Sequence, residues 1–450
     1  MRRIPPRGGV TLCVALCLPL AAWAQDRSTT PSLDVESVPA ALTSTHSAGP
    51  TASAAAGAQR LSLPQAIDLA LTHNPDLAAA ALEVGANEGI RQQAGAYPNP
   101  EIAYLQEDTR RATRTTTLQL NQPIELGGKR GARVAAAERG FAIATEDLAA
   151  RRLALRAAVT TGYFDTLAAQ ERVRVADEAV ELAGRATHAA ALRVKAGKVA
   201  PIEETKARVA EAGVQVEANQ ARSEWRSAQA QLAALLGQPQ PHALVLSDRL
   251  EALPTAPTLQ DVQRQVENSP ALRRARLEIE RRIALTELEK ARRIPDLTVS
   301  LGAKREEALG RNQAVVGVSI PLPLFDRNQG NLLEAQVRED KAREELKSAQ
   351  LQVSADALRA RERLESARME AASLAAHVLP GAQDAYEAAV KGFELGKFSF
   401  LEALDAQRTL LQARVQALRA MAEAHRARAE LDRILGSADV DPTASAPATR

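Results

Sequence analysis

The stretch that decides the fold is residues 294–330, IPDLTVSLGAKREEALGRNQAVVGVSIPLPLFDRNQG. Two short runs in it alternate with period two. In 296–304, Leu297, Val299, Leu301 and Ala303 share one face, while Thr298, Ser300 and Gly302 share the other. In 314–320, Val316, Val318 and Ile320 alternate with Gly317 and Ser319. Alternation of this kind predicts half-exposed strands. On both sides the period changes to that of helices, so the stretch reads as a hairpin set between long helices.

The same arrangement occurs earlier in the chain. Asn99-Pro100 answers Ile294-Pro295, and Gln122-Pro123-Ile124 answers Ile320-Pro321-Leu322. Asn74-Pro75-Asp76-Leu77 lies 195 residues before Ser269-Pro270-Ala271-Leu272. Gly197-Lys198 and Leu235-Leu236-Gly237 lie 199 residues before Gly396-Lys397 and Ile434-Leu435-Gly436. One offset drifting slowly along the chain is the mark of an internal duplication. Each half then reads as a helix (75–96; 270–293), two strands (101–108 and 115–122; 296–304 and 314–320), a long helical stretch (131–195; 331–395), a glycine turn, and a last helix (to Gly237; 399–435). The first repeat is placed at 61–240 and the second at 241–436.

Composition agrees with long helices. Alanine makes up about a fifth of the 450 residues, and aromatics only 3%. Small residues recur at sevens: Leu155, Gly162, Ala169, Ala176 and Ala183, beside Val159, Thr166, Val173 and Val180. Leu404, Leu411 and Leu418 do the same, with Val415, Ala422 and Ala429 alongside. Heptads predict supercoiled packing, and small seam residues predict close helix approach. A 65-residue helix spans about 100 Å, and the two shorter helices of a half together span about 85–90 Å. The short pair can therefore stack end to end beside the long one, with strands at one end and the turn at the other.

The termini read differently. Residues 1–24 read as a secretory signal peptide, with Arg2, Arg3 and Arg7 first, an apolar run at 10–20, and Ala22-Trp23-Ala24 as the cleavage site. Its removal would take away both cysteines, Cys13 and Cys17, and shift the net charge from +2 to −1. Leu16 before Cys17 argues against a lipid anchor. Residues 25–60 and 437–450 read as a disordered linker and tail.

Several functions are excluded. Lys+Arg at 57 against Asp+Glu at 55 leaves no basic excess for nucleic acid. No run of 18 apolar residues offers a helical membrane span. Gly127-Gly128-Lys129 lacks the spacing of a phosphate-binding loop, and no G-x-S-x-G run occurs. The six histidines, His46, His73, His188, His242, His377 and His425, contain no i, i+4 pair. No catalytic set, cofactor site or metal-ligand set is therefore expected.

Taken in order, these segments resemble the TolC-type outer membrane efflux family over residues 61–436. The carriers are LSLPQAIDLALTHNPDL, AGAYPNPEI, LNQPIELGGKRGARV, VSIPLPLFDRNQG, RVKAGKVAPIEE and GFELGKFSFLEALDAQ. The QPIELGGKRGARV run looks most like the heavy-metal branch, the outer membrane component of cobalt–zinc–cadmium-type efflux systems. The resemblance implies a mainly α fold with a small β part: a homotrimer with a long periplasmic α-barrel, each protomer giving four strands to one twelve-stranded outer membrane β-barrel.

It also implies partners and sites. The partners would be a periplasmic adaptor and an inner membrane proton antiporter of the RND type. Arg193, Gly197, Lys198, Pro201, Gly396, Lys397 and Ser399 would form the periplasmic tip that meets the adaptor. Glu402 and Asp405, with Glu203, would form an acidic gate favouring cations. Glycines at such places also end helices in left-handed caps, and carboxylates in a first helical turn also answer the helix dipole. Drug or solvent efflux, and protein export with an ATP-driven transporter, use the same architecture. A soluble periplasmic coiled-coil scaffold is the reading without a pore.

Overall fold

The computed structural model describes residues 60–238, 245–395 and 397–437. All lie in one unit, Ala56–Arg450. The expected signal peptide, the linker up to residue 59, the tail from 438 and Gly396 lie outside the described residues.

In chain order the elements are β1 (Arg60–Leu61), α1 (Leu63–His73), α2 (Pro75–Ala94), β2 (Glu101–Glu107), β3 (Thr115–Ile124), α3 (Lys129–Lys195) and α4 (Pro201–Leu235). The second half follows with β4 (Val245–Leu246), α5 (Leu259–Val266), α6 (Pro270–Arg292), β5 (Leu297–Glu306), β6 (Arg311–Ser319), α7 (Gln329–Ser373), a π-turn (Leu374–Val378), α8 (Leu379–Glu394) and α9 (Phe400–Leu435). The duplicated order expected from the sequence is present. In each half two shorter helices lie along one long one: α2 and α4 on α3, α6 and α9 on the α7–α8 column. The halves join because α3 also packs on α6 and α9.

Two short helices escape the pattern reading. α1 and α5 each precede the Pro-initiated helix of their half. Ser62 and Gln65 form a capping box on α1, and the Thr258 hydroxyl accepts the Asp261 N–H on α5. Their apolar sides fill equivalent cores. In the first, Ile67 and Leu77 join Leu155, Val159, Leu232 and Leu236; in the second, Val262 and Leu272 join Val353, Ala357, Leu431 and Leu435. β1 also begins one residue inside the expected linker. It pairs in parallel with β4, Leu61 opposite Leu246, and so ties the start of one repeat to the start of the next.

Among the described residues, alanine outnumbers all other buried apolar residues together. On α9 the closed seam runs through Ala403, Leu410, Ala417, Ala424 and Leu431, one residue before the expected leucines. Leu404, Leu411 and Leu418 are half-buried. Leu404 packs on Ala190 and Ala207, and Leu418 on the first-half core. The small residues let α9 approach α7 closely, while its leucine stripe holds the other half. The expected continuous helix 331–395 is also interrupted. Pro380 lacks an N–H and crowds the preceding turn, and the helix widens into the π-turn just ahead of it.

The four long strands form one antiparallel sheet in the order β2-β3-β5-β6. Its register lines up apolar rows: Ile102–Leu120–Leu301–Val316, then Tyr104–Leu118–Ala303–Ala314. Leu297, Val299 and Val318 continue this face, and most of its large side chains are exposed. The other face carries Gln119, Gly302, Lys304 and the Ser300–Asn121 hydrogen bond at 2.7 Å. β2 and β6 each leave one edge unpaired within the protomer.

One buried titratable group couples this core to pH. His425 is stacked on Phe164, centroids 3.5 Å apart, with Nε2 3.3 Å from the Leu250 carbonyl. Burial pushes its pKa down to about 4. The unfolded chain then binds the extra proton between about pH 6.5 and 4, so stability present above 6.5 is lost as pH falls through that window. The loss expected from this site is on the order of 3 kcal/mol. Thermal unfolding at pH 7 and pH 4.5 checks it: His425→Phe is expected to show the smaller drop.

Candidate functional site

The candidate residues and the QPIELGGKRGARV run fall in three regions: the base of the sheet, the turns at the far end of the helices, and the carboxylates beside those turns.

At the base of the sheet the QPIELGGKRGARV run acts as a clamp. Gly127 and Gly128 both have positive φ, +72° and +75°, and a Cβ on Gly127 would meet the Ala291 carbonyl and Ile294 at 2.9 Å. The run can therefore turn from strand to helix directly against the end of α6. Lys129 Nζ donates to Asp296 at 2.7 Å, and Asp296 also accepts the Leu126 N–H at 3.1 Å. Arg130 donates to the Gly95 carbonyl and lies over the Tyr97 ring. Arg133 donates to the Ala94 and Ala96 carbonyls and to Glu125. These cations satisfy the open carbonyls at the C-terminus of α2, where the helix dipole favours positive charge. The run thus holds the halves together beneath the sheet.

At the far end, α3 closes in a Schellman cap. Gly197 has φ +66°, its N–H donates to the Val194 carbonyl at 2.9 Å, and the Lys198 N–H donates to the Arg193 carbonyl at 2.9 Å. Pro201 opens α4. Lys198, Pro201, Lys397 and Ser399 are exposed around the two turns. Arg193 has another task. Its Nη2 donates to the Phe393 carbonyl at 2.8 Å, and its guanidinium carbon lies 3.9 Å from the Phe393 ring centroid. It joins the first turn to the second. Phe398 folds onto Gly392, where a Cβ would overlap its ring, and its N–H donates to the Gly392 carbonyl. The sequence marks Phe398 only as part of the second turn, and it does not mark Phe393 or Gly392. The only signal was positional, since Gly392 stands where the first half has Arg193.

The structure separates the three carboxylates expected to form a gate. Glu402 belongs to a capping box: its carboxylate accepts the Ser399 N–H at 2.6 Å, and Ser399 Oγ accepts the Glu402 N–H at 3.3 Å. Glu203 pairs with Lys206 at 2.9 Å. Lys206 occupies the position equivalent to Asp405, so the first half neutralises its own acid. Asp405 is exposed, and its carboxylate has no hydrogen-bond or ion-pair partner among the described residues. Of the three, it alone keeps a free carboxylate among the described residues. Ser399→Ala is expected to cost about 1 kcal/mol at the start of α9, seen as faster amide exchange over its first turn.

Among the described residues no helix is long and apolar enough to cross a membrane, and no group of three or more His, Cys, Asp or Glu could hold a metal. Among the described residues, bare apolar side chains gather on the sheet, around the two turns, and in stripes on α4 (Ile202, Val209, Val216) and α7 (Val337, Leu351, Leu358), with Leu82 and Ile90 also exposed on α2. Exposed apolar area arranged in rows and heptads marks surfaces for partners or lipid.

Comparison with known proteins gives two matches to the same family model, described as outer membrane efflux protein, over residues 66–238 and 262–437. The pair falls on the two repeats. The chain is 46% identical over 376 residues to the cobalt-zinc-cadmium resistance protein CzcC of Cupriavidus metallidurans, covering 84% of this chain and 90% of that one. It is 30% identical to the nickel and cobalt resistance protein CnrC of the same organism, covering 65% of this chain and 70% of that one. Its fold matches the solved outer-membrane channel OprN with TM-score 0.70 at 20% identity, over 83% of this chain and 89% of that one.

Proposed function

The chain belongs to the outer membrane efflux protein family, and from that membership we propose that it is the exit duct of a tripartite efflux system, passing divalent heavy-metal cations to the cell exterior. The observation that carries the duct is the sheet. Its apolar face is bare and both its edges are open. Open edges are not tolerated in lipid, because every backbone polar group there must be satisfied within the protein. Three copies, pairing β6 of one with β2 of the next, would close twelve strands into a barrel and turn the apolar rows to the membrane. The helices, about 100 Å long, then lie in the periplasm and enclose the lower duct.

The apolar stripes on α4 and α7 supply surfaces for neighbouring copies. The exposed turns, with Leu192, Ile202, Leu395 and Leu401 bare around them, supply one for a periplasmic adaptor. That adaptor connects the duct to an inner membrane RND-type proton antiporter. The duct itself performs no catalytic step. The metal reading rests on the likeness to CzcC and CnrC, and the cation is cargo. Walls without ligand clusters suit passage, since a conduit must release what it admits. Asp405, one from each copy, would favour cations at the mouth.

Deleting the chain from its host and measuring tolerance tests this reading. Sensitivity to zinc, cadmium or cobalt with unchanged drug tolerance is expected. Sensitivity to drugs alone, or loss of a secreted protein, would reassign the cargo.

A further inference from the structure

The two halves place an acid at the same point of the sheet and treat it differently. Glu101 follows Asn99-Pro100 as Asp296 follows Ile294-Pro295. Asp296 is engaged: Lys129 Nζ donates to it at 2.7 Å, and the Leu126 N–H at 3.1 Å. Glu101 is exposed, and its carboxylate has no hydrogen-bond or ion-pair partner among the described residues. The bases around it are taken up elsewhere, Arg130 by the Gly95 carbonyl and the Tyr97 ring, Arg133 by Glu125, and Arg292 by Glu289. Arg293 is exposed at the end of α6, off the sheet.

The register fixes the face on which Glu101 stands. It heads the row Glu101–Asn121–Ser300–Gly317, on the polar face of the sheet. The next row, Ala103–Gln119–Gly302–Val315, is uncharged. The last two rows, Leu105–Thr117–Lys304–Gln313 and Glu107–Thr115–Glu306–Arg311, hold two acids and two bases, with Lys304 3.9 Å from Glu107. The polar face is therefore balanced at the end away from the helices and carries one net negative charge at the helical end. A neighbouring copy does not neutralise it. The β6 that closes on β2 in the barrel reads Val315-Val316-Gly317-Val318-Ser319 at this end and offers no base.

We infer that Glu101 sets ion preference inside the membrane part of the duct: three copies ring the inner mouth of the β-barrel with unneutralised carboxylates and favour cations over anions there. This rests on the barrel reading above and adds a second level of selection, far from Asp405 and the turns. Twelve strands about 4.8 Å apart and tilted about 40° close a ring about 24 Å across, so its wall lies about 12 Å from the axis. That is close to the Debye length of about 10 Å at 0.1 M salt and well beyond the about 3 Å at 1 M. Three unit charges at that distance change the cation-to-anion ratio on the axis about threefold at 0.1 M and hardly at all at 1 M. Single carboxylates on separate strands attract cations without coordinating them, so the cargo is not retained.

The test is the reversal potential of the full chain in a planar bilayer, read in potassium chloride gradients near 0.1 M and near 1 M. Every variant also carries Arg193→Ala and Asp405→Asn, so that the turns neither narrow the path nor supply the free acid. Glu101→Gln is expected to lower the cation-to-anion permeability ratio about threefold at 0.1 M and to leave it unchanged at 1 M. Glu101→Asp is expected to keep the ratio. Glu101→Cys, made with Cys13→Ala and Cys17→Ala, should lose the preference and regain it when a sulfonate-bearing methanethiosulfonate is attached. A trimethylammonium-bearing reagent should push the ratio the other way. A structural role would not follow the sign of the attached charge. Conducting channels whose ratio ignores Glu101→Gln, or ignores that sign, would overturn the proposal and leave the duct standing. Absence of conductance in the wild type and every variant overturns the duct and this proposal together.

Discussion

Arginine in place of Leu301 is expected to keep the protein out of the outer membrane. Leu301 sits in the row Ile102–Leu120–Leu301–Val316, with apolar residues above and below it on the same face. It is 61% exposed in the protomer, so folding of the single chain does not depend on it. In the closed barrel the same side chain faces the bilayer. Arginine on the lipid face near the midplane costs about 2–4 kcal/mol per copy, and a trimer bears that cost three times. Gln119→Arg is the matched control, because Gln119 lies on the opposite, polar face of the sheet. Membrane fractionation should recover Gln119→Arg in the outer membrane and lose Leu301→Arg. Recovery of both would show that the apolar rows do not meet lipid.

The second large effect is expected from the α4 stripe. Val209 and Val216 are 68% and 65% exposed and two helical turns apart. Their helix already packs on α3 through Ala207, Ala218 and Ala221 on another side. Replacing both valines by aspartate should leave helical content unchanged and prevent assembly, since three pairs of charges would have to be buried without partners. Mass measured in detergent should fall from three copies to one. An unchanged trimer would mean that this stripe faces water or the adaptor.

Much of this was legible in the sequence because it rests on period and repetition. The alternation in 297–303 and 316–320, the heptads and the drifting offset each report a local geometry that the structure keeps. What was not legible depended on partners far apart in the chain. The pairing of β3 with β5 joins the two halves across a long separation, and hairpin patterns do not reveal it. Arg193 reads as a tip residue that meets an adaptor, and its guanidinium also contacts Phe393 of the other half. α1 and α5 are too short for a strong period, and tertiary burial of Ile67 and Val262 sustains them.

The local bonding of the carboxylates expected at the gate was half readable. Ser399-Phe400-Leu401-Glu402 spells the S-x-x-E of a capping box, a signal that assigns Glu402 to the helix start before any pore is considered. Lys206 beside Glu203 likewise announced a neutralised acid. Only the freedom of Asp405 needed the structure. The leucines at 404, 411 and 418 show a related limit: periodicity located a seam, but with two seams on one helix it chose the wrong one for α7.

The central claim is that this chain builds a duct through the outer membrane, and single-channel recording tests it most directly. Purified protein is reconstituted into a planar bilayer as wild type, as Arg193→Ala, which releases the bond between the turns, and as Asp405→Asn. The account predicts discrete conductance steps that favour cations, more open time with Arg193→Ala, and weaker cation preference with Asp405→Asn. A bilayer that demonstrably holds the protein yet stays silent for all three forms would contradict it.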